Sequence, residues 1–90
     1  MLASEQIMDY SDAKLAVQDL LRDGPRLATT IKRILSCRVV DKKFHAGNAV
    51  EPRPEHEREA ALHIRKMVAE GEILEEMQGK RLYYKSPLCL

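Results

Sequence analysis

Three histidines, two cysteines and fifteen lysines and arginines are the side chains of this sequence with the most chemistry to offer. The histidines, His45, His56 and His63, are scattered. His56, Glu59 and His63 fall on neighbouring turns of a helical stretch, but their spacing is not the HExxH arrangement that holds zinc. Cys37 has no second cysteine nearby and Cys89 stands next to the end, so neither a zinc cluster nor a disulfide framework is outlined. Cys37, among apolar neighbours, reads as a core residue and not as a nucleophile. No glycine-rich phosphate loop, nucleophile elbow or acid–base pair is recognisable. The residues point away from an enzyme, a metal site or a bound cofactor.

The cations say more. Net charge is only +1, yet residues 22–45 carry Arg22, Arg26, Lys32, Arg33, Arg38, Lys42 and Lys43 against Asp23 and Asp41. Residues 1–21 carry Glu5, Asp9, Asp12 and Asp19 against Lys14 alone. A basic middle beside an acidic start is compatible with phosphate binding. A solvated surface of mixed charge accounts for the same distribution equally well.

The elements that must position these charges are those of one domain, residues 1–90, with 44% apolar and 32% charged residues. The start, MLASEQIMDYSD, lacks the basic and apolar regions of a secretory leader. No window approaches the roughly 18 apolar residues of a membrane span. With two cysteines, a reducing cytoplasmic setting is expected. A chain this short gains stability from dimerising or docking, and Ile7, Met8 and Leu15 are apolar residues available for it.

Within SDAKLAVQDLLRDG, Ala13, Ala16, Val17, Leu20 and Leu21 share a helix face, with Ser11 as N-cap and Gly24 as stop. Tyr10 extends that face backward, so residues 1–10 form an arm or a helix extension starting nearer Ser4. Met8 and Leu15 fall on the opposite face, as exposed side chains or a partner surface. Leu27 suits a short extended piece, and Thr29 or Thr30 can cap a second helix with Ile31, Ile34 and Leu35 buried. Residues 38–54 read as an irregular connector. Pro54 opens a third helix, PEHEREAALHIRKMVAEG, burying Ala60, Ala61, Ile64, Met67 and Val68. EGEILEEMQGKRLYYKSP then folds as a hairpin. A Gln78-Gly79 turn sets Glu76 opposite Arg81 and Ile73 opposite Tyr84, with Ile73, Met77, Leu82 and Tyr84 on the core face.

Helix, short extended segment, two helices and a hairpin make a mostly helical α+β fold, and the order resembles the winged helix-turn-helix superfamily. LLRDGPRLATTIKRIL is similar to a first helix running into a second, and IRKMVAEGEILEEMQGKRLYYKS to a recognition helix followed by its wing. The resemblance covers roughly residues 11–86 and implies three main helices, a C-terminal β-hairpin wing and binding to double-stranded DNA, as a transcriptional regulator or an accessory factor in a DNA transaction. It implies contacts from Arg58, Leu62, Arg65 and Lys66 on the third helix, Lys32 and Arg33 on the second, and Lys80 and Arg81 at the wing tip. A homodimer would read two half-sites.

Two features depart from the family pattern. The stretch 38–54 replaces a tight turn between the second and third helices. Glu55, Glu57 and Glu59, with Glu51 before them, put carboxylates where phosphates would approach. The third-helix cations also have partners within reach, Glu55 for Arg58 and Glu70 for Lys66. The alternative is therefore a winged-helix module that binds protein without touching DNA.

Overall fold

A computed structural model describes residues 7–44 and 51–87. Its elements run α1 (Tyr10–Leu20), β1 (Arg26–Leu27), α2 (Ala28–Phe44), α3 (Pro54–Ala69), β2 (Leu74–Gln78) and β3 (Arg81–Lys85). The fold is α+β and mostly helical, with one small antiparallel sheet of strand order β1-β3-β2.

Ala13 and Val17 of α1 and its C-cap residue Leu21, spaced four apart, are fully buried, with Tyr10, Ala16 and Leu20 packed beside them. The helix starts at Tyr10, after Asp9 in extended conformation, so Ser11 lies inside the first turn and is not the cap. Residues 7–9 are not helical, and 1–6 lie outside the described residues. Met8 is 5% exposed and belongs to the core, contrary to its expected place opposite the buried face. Since the helix begins two residues later, helical spacing does not govern Met8. Leu15, which does lie in the helix, is 64% exposed.

Helix α2 begins at Ala28, directly after β1, so neither Thr29 nor Thr30 is its cap. Ile31, Leu35 and Val39 are fully buried at four-residue spacing, and Val40 is buried beside them. Helical structure thus continues through residues 38–44, where an irregular connector is expected from the sequence. Of the remaining connector, 45–50 lie outside the described residues. Cys37 is exposed, not a core residue. It lies two positions past Leu35, and about 100° of rotation per residue turns it to the opposite side of the helix.

Pro54 opens α3, where its missing N–H costs nothing, and Glu55 and Glu57 sit in the first turn at the positive end of the helix dipole. His56 Nδ1 accepts the backbone N–H of Arg53 at 3.0 Å, holding the helix entry. The exit is a Schellman motif: Glu72 N–H donates to the Met67 carbonyl at 2.8 Å and Gly71 N–H to that of Val68 at 3.2 Å. Gly71 supplies the positive φ, 76°, that this ending demands.

In the hairpin Gln78 pairs with Arg81, Met77 with Leu82, Glu76 with Tyr83 and Glu75 with Tyr84. The turn is therefore Gly79-Lys80, one residue later than expected. Both primed two-residue turns need positive φ at their first central position, and Gly79 provides it with φ 64°. A Gln78-Gly79 turn would place Gln78 there. Glu76 consequently faces Tyr83 and not Arg81, and its carboxylate pairs instead with Lys85 Nζ at 2.9 Å. Each strand partner shifts by two residues, so the faces are preserved. Ile73 is fully buried and Tyr84 packs on the core, but Met77, nearer the tip, is 62% exposed. Strand β1 completes the sheet, with Arg26 opposite Tyr84 and Leu27 opposite Tyr83.

Candidate nucleic-acid interface

Arg58, Leu62 and Arg65 stand along one exposed stripe of α3, four and three residues apart. Leu62 is 54% exposed, a large apolar side chain left in water between two guanidiniums. Opposite this stripe, Ala60, Ile64 and Met67 are buried in the core, so packing fixes the direction in which the arginines point. Lys32 of α2 and Arg65 line one open groove, together with buried Ile64, half-buried Val68, and Glu75 and Tyr84 from the sheet. Arg58, Arg65, Lys32 and Arg33 are all exposed and enter no ion pair among the described residues.

The other expected contacts are not gathered at this groove. Arg33, next to Lys32, does not line it. Lys80 and Arg81 are exposed at the hairpin turn, with Arg81 three residue pairs beyond Glu75–Tyr84, about 10 Å along the strands. Lys66 turns towards α1 and lies 4.3 Å from the centre of the Tyr10 ring. The Tyr10 hydroxyl in turn donates to Glu70 Oε1 at 3.2 Å. Lys14 Nζ lies 3.6 Å from Glu72, which also accepts from Gln18 Nε2 at 3.4 Å. Lys66 thus belongs to a polar seam joining α1 to the end of α3.

Glu59, expected among the carboxylates placed where phosphates would approach, is instead largely buried. Its side chain is only 11% exposed. The carboxylate accepts the backbone N–H of Ile7 at 3.0 and 3.1 Å and that of Met8 at 2.8 Å. It therefore fastens the segment before α1 onto α3. His63 Nε2 lies 3.6 Å from Glu59 Oε2, and the His63 ring is 6.2 Å from that of Tyr10. His56 and His63 are both buried, and spacing alone carries the signal for this. They occupy the same face as Ala60 and Met67, a position that residue type obscures because histidine is usually half-wet.

Burial pushes the Tyr84 phenol above its ordinary value, and the Glu75 carboxylate across the strand adds to the shift. Tyr10 moves the same way, first through loss of solvent and then through Glu70. Glu76 is held below the usual carboxylate range by hydrogen bonds from Gln78 and Lys85 and by the Lys85 charge. Among the described residues no group of three histidine, cysteine or acidic side chains is placed to hold a metal, and no helix is long and apolar enough to cross a membrane. Compared with known proteins, the chain matches no family model, no curated protein and no solved structure.

Proposed function

We propose that this chain is a winged helix-turn-helix protein that binds double-stranded DNA, with α3 facing the duplex and the β2–β3 hairpin as its wing. The element order supports the reading, as does β1 pairing with β3 to complete a three-stranded sheet. The observation that carries it is the convergence of Lys32 and Arg65, from two different helices, on one groove, with no ion pair to neutralise either among the described residues. Arg58 and Arg65 can fork onto phosphate or a guanine edge, Leu62 can meet a thymine methyl, and Lys32 and Arg33 suit the backbone. Lys80 and Arg81 stand where a wing reaches the backbone or minor groove. In this reading the protein regulates transcription or serves a DNA transaction in the cytoplasm. A homodimer is a weaker part of it. Ile7 and Met8 pack against the protein's own core, leaving Leu15 of the three apolar residues for a second copy.

Exposed Glu51, Glu55 and Glu57 favour a second reading, in which the same face docks on a protein. A mobility-shift titration on a mixed-sequence duplex separates the two. DNA binding is expected at low salt and should weaken steeply between roughly 50 and 200 mM salt. A folded protein that shifts no duplex at low salt sinks the DNA reading and leaves the protein-docking one.

A further inference from the structure

The open groove shared by α2, α3 and the sheet has a volume of about 470 Å³, within the size range of small-molecule sites. Its surface combines two characters. Ile64 and Val68, with neighbouring alanines, make an apolar floor, and the Tyr84 ring closes the sheet end. Lys32 and Arg65 bring two cations from separate helices to the same hollow, and neither enters an ion pair among the described residues. A bare phosphate would leave the floor unused, while a neutral apolar molecule would leave both cations unanswered. Glu75, also lining the groove, disfavours a small ligand that would gather several negative charges inside the hollow.

We infer that the groove binds a small amphipathic carboxylate. An aromatic or alicyclic body rests on Ile64, Val68 and Tyr84, and a single carboxylate is directed to Lys32 and Arg65. The planar guanidinium of Arg65 suits two-point contact with a carboxylate, and Lys32 adds a point charge. Binding involves no covalent step. Because these two cations are also the proposed phosphate contacts, such a ligand and a duplex would exclude one another. That consequence rests on the DNA reading, whereas ligand binding itself does not.

The test is an amide chemical-shift titration of the whole chain, without DNA, using cinnamate and its uncharged analogue cinnamyl alcohol. Cinnamate should shift Thr29, Lys32, Ile64, Arg65, Val68 and Tyr84 along one saturating curve, with a Kd of about 1 mM from the usual affinity per atom of small ligands. Loss of the charge-assisted contact should make the alcohol bind about tenfold more weakly. Lys32→Gln and Arg65→Gln should each weaken cinnamate and leave the alcohol unchanged; both positions are exposed, so the fold should persist in these variants. Equal binding of acid and alcohol, shifts centred elsewhere, or no saturation at about ten times that Kd overturns the proposal. These outcomes are read whether or not the protein binds DNA, so failure here and failure of the DNA reading remain separate.

Discussion

Glu59 shows how one side chain can be assigned the wrong work from its neighbours. In the run Glu55, Glu57, Glu59 it reads as one more surface charge, yet it takes up the N–H groups of Ile7 and Met8. Removing it leaves those donors without their acceptor and loosens Met8, which is 5% exposed. Glu59→Ala is therefore expected to cost about 1–3 kcal/mol in urea unfolding, with faster amide exchange at Ile7 and Met8. Glu57→Ala, an exposed position, should change stability much less. Equal losses from the two variants would remove the anchoring role. Tyr84 supports a prediction at alkaline pH. Its phenol is raised above 10.0 in the folded protein, so the folded state keeps this proton at a pH where the unfolded chain releases it. The stabilisation is whole below the unfolded value and is lost as pH rises through the folded one. Between about pH 9 and about pH 11, the urea midpoint should fall less in Tyr84→Phe than in the wild type. Parallel declines would contradict the shift.

The elements differ in how openly the sequence displays them. Helix α3 is legible because Pro54, the first-turn glutamates, the spacing of Ala60, Ile64 and Met67, and Gly71 all agree. The second half of α2 is obscured. Val39 and Val40 continue the stripe of Ile31 and Leu35, but β-branched residues beside Asp41, Lys42 and Lys43 suit a connector as well as a helix, and tertiary burial decides between them. Val39→Ala should cost about 2 kcal/mol if that half of α2 packs as described, and almost nothing if it were a solvated connector; thermal or urea unfolding checks this. The hairpin turn is a finer case. Glycine marks its position, but only the sign of φ chooses whether Gly79 is the first or second central residue. Gly79→Ala and Gly71→Ala should each destabilise by about 1 kcal/mol through their positive φ, with no new steric contact, since an added Cβ meets no atom within 4 Å at either site. A neutral result at Gly71 would remove the argument for its Schellman ending. The exposed arginine stripe is readable from the same periodicity as α3. The joining of Lys32 to Arg65 is not, because it depends on how two helices and a sheet meet.

Across the whole molecule, the packing of α1 against α3 divides charges that sit side by side in the sequence. Arg65 and Lys66 are consecutive, yet Arg65 lines the groove with Lys32 while Lys66 rests on Tyr10 in the seam with Glu70. Adjacent helical residues differ by about 100°, enough for one to face a duplex and the other its own protein. Salt dependence resolves the division, since each phosphate neutralised adds about 0.9 to the slope of log K against log salt. Arg65→Ala should weaken binding and flatten that slope by about one. Lys66→Ala should leave the slope close to wild type, because Tyr10 already holds the ammonium aside. Measuring both variants on one duplex compares them without knowledge of the preferred sequence. If the slopes exchange, with Lys66→Ala flattened and Arg65→Ala unchanged, the duplex lies along the α1 side of α3. The groove would then be free of DNA, and its two cations would be available to a small ligand while the duplex stays bound.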